Sequence, residues 1–288
     1  MITKGILRQL ELIVFDVDGT LLNNKGEIGK ETIKLVTELE QLGVKFSFAT
    51  GRLHSSVIPY AKELGITSPL ISLDGAMIKN YPDEDVIFKS FIPEKSVAKV
   101  LKYADQYLMK VALCHADTVF YTEYNAIIPD TIDKFGVAFQ EVESYMDHAA
   151  ESLEIVLVSE YKENLKYVKS RLSFPYSFGL STNLYRSHSN EGIYCLEIRK
   201  SGATKATGLK RLIKHMKIDI KKTAVLGDWY NDRTLFQTKA VKVAVANAVA
   251  ELKYLADIVT VKTNNEDGAA EFLEMVLRAK KSKTGTWN

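Results

Sequence analysis

Cysteine is scarce in this chain: 288 residues carry two, Cys114 and Cys195. Isolated thiols of this kind form neither a metal-ligand spacing nor a disulfide framework, which fits a reducing compartment. An excess of charge of one sign is also missing. Lys and Arg number 38 against 36 Asp and Glu, a net charge of +2, so no strong field for nucleic acid or a membrane surface is implied. No run approaches the ~20 apolar residues that span a bilayer, and Met1 to Glu11 lacks the apolar segment of a signal peptide. Proline is limited to six residues, and no internal repeat or biased tract is present. What remains is a globular composition, 46% hydrophobic and 26% charged, in a chain long enough for one large domain or two ordinary ones. A cytoplasmic protein is expected, without nucleic acid or membrane as partner. The basic stretch Lys280-Lys281-Ser282-Lys283 is expected to be a frayed, solvated end.

Strands alternate with helices at both ends of the chain. Leu12 to Phe15, Val44 to Ala49 and Pro69 to Leu73 are short apolar runs that read as buried strands. Between the first two, Ile33, Val36, Leu39 and Leu42 recur at helical spacing, and Gly43 stops that helix. A helix through Ile58 and Leu64 ends at Gly65. Near the C-terminus a helix from about Thr204 to Met216 precedes strands at Thr223 to Leu226, Val241 to Val245 and Ile258 to Val261, and a last helix covers about Gly268 to Arg278. Such alternation predicts a parallel sheet with right-handed crossovers. The middle of the chain differs. Runs at 111–114, 119–122, 153–158 and 194–198, with helical patterns at 92–108 and 162–172, suggest a separate α+β domain inserted into a split α/β core.

Ligands of open α/β sheets bind beyond the carboxyl ends of the strands, and four such ends carry polar residues here. The first is Asp16-Val17-Asp18-Gly19-Thr20, in VFDVDGTLLNN. One carboxylate can attack phosphorus to form an aspartyl-phosphate, and a second can protonate the leaving oxygen and later deprotonate water. Crowding of acids with a phosphate calls for a cation, and Asp16 with the distant Asp228 are plausible oxygen ligands for magnesium. The plainer reading is a solvated acidic turn. At the second end, Thr50-Gly51-Arg52 offers a hydroxyl and backbone N–H groups for phosphate oxygens, or simply a capped turn. At the third lies Asp74-Gly75-Ala76. At the fourth, in VLGDWYNDRTLF, Asn231 and Asp232 could tie down metal-bound water or the acidic loop, or cap a helix. Lys205 sits in the first turn of its helix, where it opposes the helix dipole. Neutralising phosphate and nucleophile would explain that placement; one more surface lysine is the alternative.

With these motifs in hand, the sequence resembles the haloacid dehalogenase (HAD) superfamily of phosphatases, in particular its Cof-like group. FDVDGTLL, FATGR, the Lys205 region and GDWYND match four family motifs in order, and ANA and EDGAAEFL resemble its closing loops. The resemblance implies an α/β fold: a Rossmann-like three-layer core with a parallel sheet at residues 1–82 and 200–288, and an inserted α+β cap at 83–199 that selects substrate. It implies Asp16 as nucleophile and Asp18 as general acid/base. Mg2+ would be held by Asp16, Asp228 and Asp18, the last through its backbone carbonyl. Thr50, Gly51, Arg52, Asp74 and Asn231 would line the phosphate and substrate site, with Lys205 bridging nucleophile and phosphate. Asp232 and Asn247 would support them from behind. The chain departs from the usual pattern at Asp74, commonly Asn, at Ala206, commonly Gly, and at Ala246, also commonly Gly. Trp229 and Tyr230 are expected to be packed aromatics, and His115 and His188 structural.

The function so implied is Mg-dependent hydrolysis of small phosphorylated metabolites, sugar phosphates foremost. The alternatives are a phosphotransferase or phosphosugar mutase resembling phosphomannomutases, and a non-catalytic protein that binds a phosphorylated ligand.

Overall fold

A computed structural model of the chain describes residues 2–131, 137–187 and 190–282; His188 and Lys283 lie outside the described residues. The chain folds as two compact units, one of Met1–Gly51, Val57–Val86 and Thr204–Asn288, the other of Arg52–Ser56 and Ile87–Ala203. Packing therefore changes unit about four residues after each boundary expected from sequence, 83 and 199, and assigns Arg52–Ser56 to the insert.

The first unit begins with helix α1 (Lys4–Arg8) and strand β1 (Leu12–Phe15), whose four side chains are all buried. Helix α2 (Lys30–Gln41) buries Thr32, Leu35, Val36 and Leu39, one face at helical spacing, before the chain turns at Gly43. Strand β2 (Lys45–Phe48) follows, then α3 (His54–Glu63) and an antiparallel hairpin of β3 (Leu70–Ser72) and β4 (Met77–Lys79). Strand β5 (Val86–Lys89) starts at the last residue before the insert.

The insert contains α4 (Glu94–Gln106), β6 (Lys110–Cys114), β7 (Thr118–Tyr121), α5 (Ile128–Thr131), β8 (Ala138–Glu141), β9 (Glu154–Ser159), α6 (Lys162–Arg171), β10 (Leu180–Arg186) and β11 (Tyr194–Lys200). Its sheet runs β10-β11-β9-β6-β7-β8, antiparallel except for β7 beside β8. Ile155 and Leu157 of β9 and Leu196 and Ile198 of β11 share one sheet face, as period-two alternation requires. They form a core with Val97 and Val100 of α4 and Leu165 and Val168 of α6. Alternate positions on β9 and β11 place Glu154, Glu197 and Arg199 on the other face, where Arg199 pairs with both acids. Strands β8 and β10 carry weak apolar patterns and lie at the two edges, which is why the sequence runs do not show them. His115 meets the ring of Phe120 edge-on at 4.7 Å, with its Nε2 2.8 Å from the His148 carbonyl oxygen.

The chain returns through α7 (Lys205–Met216), β12 (Thr223–Gly227), α8 (Arg233–Phe236), β13 (Val241–Ala244), α9 (Ala250–Leu255), β14 (Ile258–Val259) and α10 (Gly268–Lys281). The sheet order is β14-β13-β12-β1-β2, parallel throughout. Central β1 thus lies between partners from opposite ends of the sequence. Phe15 and Phe46, 5.8 Å apart and stacked, join Val36, Leu39, Phe272 and Val276 in the core of this unit.

Two sequence expectations change. The run at Pro69 to Leu73 is not a full member of the parallel sheet: one bridge, Ala49 to Ile71, connects it, and the chain then reverses into β4. Nor does the basic stretch fray before Ser282. Lys280 and Lys281 belong to α10, and their Nζ atoms donate to the Arg8 carbonyl (3.0 Å) and to Glu38 (2.8 Å). Among the described residues no helix is long and apolar enough to cross a membrane.

The turn between β3 and β4 packs directly on the start of α7. Gly75 has φ +94°, and a Cβ there would lie 2.3 Å from the Thr204 carbonyl oxygen; a Cβ on Gly208 would lie 2.6 Å from Ile71 Cγ2. Gly43 also has positive φ, but open space surrounds its Cβ position. Gly43→Ala is therefore expected to cost about 1 kcal/mol, the conformational term alone, and Gly75→Ala about 3 kcal/mol or more. Chemical denaturation of both variants checks this; equal losses would show that the close approach carries no weight.

Candidate active site

The loops after β1, β3 and β12 belong to the first unit, as does the loop after β2 as far as Gly51, and three of their acids lie together. Carboxylate oxygens of Asp16, Asp228 and Asp232 fall within 4.8 Å of one another, all three residues buried. Val14 and Phe15 carry Asp16 out of the sheet, and Gly227 does the same for Asp228 on the adjacent strand. The packing is tight. A Cβ on Gly19 would come 2.5 Å from Asp228 Oδ2, and one on Gly227 would come 2.6 Å from Asp232 Cγ.

Lys205 is the counter-charge. It is the first residue of α7, whose N-cap Thr204 accepts from the Thr207 backbone in a capping box, and it has no solvent exposure. Its Nζ donates to Asp16 Oδ1 at 2.5 Å and to Asp232 Oδ1 at 2.6 Å. The other oxygen of Asp232 accepts the backbone N–H groups of Asp228 (3.0 Å) and Trp229 (3.3 Å). Both oxygens of Asp232 are therefore occupied, and it acts as a brace that sets Lys205 and the Asp228 turn. Thr20 donates its hydroxyl to Asp228 Oδ1 at 2.7 Å. Thr20 stands in the quoted motif, but its type gives no hint of this partner 208 positions away.

Electrostatics report the crowding. Burial raises the pKa of Asp16 well above the usual carboxyl value, and Asp232 adds to this, while Lys205 opposes it. Burial, then Asp232, push Asp228 up to about 6. For Lys205, burial alone would lower the pKa, but the carboxylates of Asp16, Asp232 and Asp74 outweigh it and hold the amine firmly protonated.

These residues suit a hard cation. All three acids offer oxygen, the ligand type magnesium and calcium take. With Asp232 committed to Lys205 and two backbone donors, Asp16 and Asp228 are the pair left to bind it. Burial and the neighbouring acids raise both pKa values, so added positive charge would favour the ionised pair.

The other sequence-predicted residues are distributed as follows. Asp18 is exposed beyond fully buried Val17. Thr50 is buried, its N–H bonded to the Ile71 carbonyl and its carbonyl to the Asp74 N–H, so the second loop is tied to the turn after β3. Asp74 is buried and accepts from Asn231 Nδ2 at 3.3 Å. Asn247 bridges loops: its Nδ2 donates to the Gly19 carbonyl (2.7 Å), and its Oδ1 accepts from Asn264 N–H (2.9 Å). Asn264 in turn donates to the Leu22 carbonyl (2.9 Å), a brace that no motif marks. Arg52 groups with the inserted unit. Trp229 and Tyr230 meet edge to face at 5.2 Å, and both are about half exposed.

Comparison with known proteins decides the family. The model of the haloacid dehalogenase-like hydrolases matches residues 13–273. The chain belongs to that family. Among curated relatives of this hydrolase, YkrA of Bacillus subtilis is 32% identical over 90% of this chain and 95% of its own length. Another from the same organism, 5-amino-6-(5-phospho-D-ribitylamino)uracil phosphatase YitU, is 25% identical over 91% of this chain and 96% of its own. Among solved structures, TM0651 of Thermotoga maritima superposes with a TM-score of 0.79 at 26% identity, covering 92% of this chain and 97% of that one. The α/β fold of the hydrolase, with its parallel-sheet core, is the fold of these structures.

The raised carboxyl pKa values set the sign of a pH effect. Between pH ~4 and ~6 the native state binds more protons at Asp228 than the unfolded chain does, so cation-free stability falls as pH rises through that window. A divalent cation that takes the ionised pair reverses the loss. Magnesium chloride should therefore raise Tm by several degrees at about pH 7 and hardly at all at about pH 4, and Asp228→Asn should abolish the rise. A Tm shift of equal size at both pH values, or one that survives Asp228→Asn, would count against this cation site.

Proposed function

We propose that the hydrolase is a Mg-dependent phosphatase that hydrolyses small phosphorylated metabolites, sugar phosphates foremost, through an aspartyl-phosphate. The observation that carries this reading is Asp16: a buried carboxylate at the end of β1, one oxygen held by Lys205, with Asp228 beside it. One relative, YitU, is named as a phosphatase of a phosphorylated ribityl compound, and that supports small hydroxylated esters as the substrate class.

The steps assign as follows. The phosphoryl group rests on the Thr50 hydroxyl and Gly51 N–H, with Asn231 beside it. Lys205 faces both nucleophile and phosphoryl oxygens and offsets charge in the transition state. Asp16 attacks phosphorus, the ester P–O bond breaks, and Asp18 delivers a proton to the departing alkoxide. Water then gives a proton to Asp18 and attacks the aspartyl-phosphate; the acyl oxygen leaves with its electrons, restoring Asp16 and releasing inorganic phosphate. Mg2+ held by Asp16, Asp228 and the Asp18 carbonyl would neutralise the crowded acids and the phosphate during both steps. The exposure of Asp18 suits a group that must meet a leaving group and then water. The inserted domain, expected at 83–199 from sequence, serves as the substrate-selecting cap.

Asp16→Asn should lower phosphate release by at least about a thousandfold. It should also raise Tm, because it removes one of the mutually repelling buried carboxyls. Asp18→Asn should slow both chemical steps without that stabilisation. Phosphate release from a panel of phosphomonoesters, paired with thermal unfolding, checks both variants. Residual activity near wild type in Asp16→Asn would reject the nucleophile, and labelled phosphate appearing on a second hydroxyl instead of in solution would replace hydrolysis by transfer.

A further inference from the structure

The inserted sheet ends on one side at β10, and that edge is built unlike the others. Strand β10 has seven residues, against four in β8 and two in β14, which end other sheet edges. All seven pair with β11 in one unbroken register. The strand holds no Pro or Lys, and its single charge, Arg186, stands at its last position. Natural edges are kept from pairing with other chains by short length, Lys, Pro or a bulge, and β10 has none of these. Among the described residues no strand lies beyond it.

The ladder fixes where its backbone groups point. In an antiparallel pair, alternate residues exchange N–H···O bonds with the neighbour, and the residues between them direct N–H and C=O away from it. Just outside the two ends of β10, Ser201 N–H donates to the Gly179 carbonyl and Ser187 N–H to the Ile193 carbonyl, both at 2.8 Å. Both bonds continue the register that sets Leu180 against Lys200 and Arg186 against Tyr194. Odd-numbered residues therefore bond to β11, while Leu180, Thr182, Leu184 and Arg186 turn four N–H and four C=O groups to the outer edge. No loop backbone among the described residues bonds to these groups. Beside Leu180, Phe174 and Phe178 are 77% and 75% exposed and meet edge to face at 5.5 Å, an apolar rim of the kind that marks contact surfaces.

A second copy of the same strand fits this edge. Antiparallel pairing about a two-fold axis through Asn183 sets Leu180 against the partner's Arg186 and Thr182 against the partner's Leu184. Every outward group is then bonded. No like charges oppose each other, because the two arginines fall at opposite ends of the pairing, about 20 Å apart. Each arrives at the end where the other copy carries Phe174 and Phe178, and a guanidinium rests well on an aromatic face. We propose that β10 is a dimerisation edge, through which two copies of this chain join their six-stranded sheets. The inference is independent of the phosphatase reading.

Sedimentation velocity of the full chain from about 1 to about 100 µM tests it, and wild type should pass from monomer to dimer within that range. Thr182→Pro removes one outward N–H from each copy, at a position where an edge strand accepts Pro. It should move the midpoint by about tenfold or more while the Tm of the monomer changes little. Asn183→Cys puts a thiol on the two-fold axis, in a pair whose Cα atoms lie about 4.5 Å apart, within disulfide reach. Mild oxidation should link that variant into dimers. Ser181→Cys, offset from its mate by about 14 Å, should stay unlinked, and wild type, whose Cys114 and Cys195 are buried, gives the background. A chain still monomeric at about 100 µM overturns the proposal. So does a midpoint that ignores Thr182→Pro, or equal cross-linking through Asn183→Cys and Ser181→Cys, since either would put the contact elsewhere. Should Thr182→Pro fail to fold, the two thiol variants decide alone.

Discussion

The candidate site depends on one buried ammonium group. Lys205 Nζ lies between Asp16 and Asp232 with no solvent contact, and through it three distant segments are tied: the end of β1, the start of α7 and the turn after β12. A charge so placed is not a stabilising device in itself. Desolvating an ammonium and its carboxylates costs about as much as their attraction returns, and this cluster has more acids than cations. The large apolar core of the first unit, from Leu10 and Ile13 to Phe272 and Val276, carries the arrangement. On the proposed mechanism, the chain keeps it because Asp16 as nucleophile needs a fixed partner more than the fold needs the pair.

The same economy of space appears around the acids. Gly19 and Gly227 allow Asp228 and Asp232 to approach backbone that any side chain would occupy, and Gly75 allows the Asp74 turn to lie against Thr204. Close approach fixes distances, and fixed distances are what the proposed reaction, with its two successive in-line attacks on phosphorus, requires. Asn247 and Asn264, whose side-chain amides donate to backbone carbonyls of the first loop, extend this from the acids to the loop that carries them.

Much of this was legible in the sequence where a strong periodicity met a short polar motif. Buried strands β1, β2 and β12 show as apolar runs, and the residues that end them are acids, Thr50 and glycines of recognisable types. The edge strands β8 and β10 were not legible, because a strand exposed on one side and at one edge needs few apolar residues. The reversal after β3 was hidden for another reason: its left-handed run begins at Leu73, a type that gives no turn signal. Thr20 and Asn264 depend on contacts more than two hundred positions apart, and Asp232 on a lysine 27 positions away and on backbone N–H donors; none of these leaves a local pattern. Packing likewise decided the fate of Lys280 and Lys281, whose composition suggests a loose end and whose contacts with Arg8 and Glu38 make a helix terminus.

The sheet order has a consequence for the newborn chain. Leu12 pairs with Thr223, so the central strand waits for a neighbour encoded about two hundred residues later. At ribosomal speeds of roughly 5–20 residues per second, that delay is on the order of ten to forty seconds. Throughout it, one apolar edge of β1 is unpaired and Asp16 is without its ammonium partner. Chemistry at this centre cannot begin on a growing polypeptide. It becomes available in a single late event, when α7 and β12 emerge and close the sheet, and a chain truncated before that point is inert however complete its N-terminal motifs.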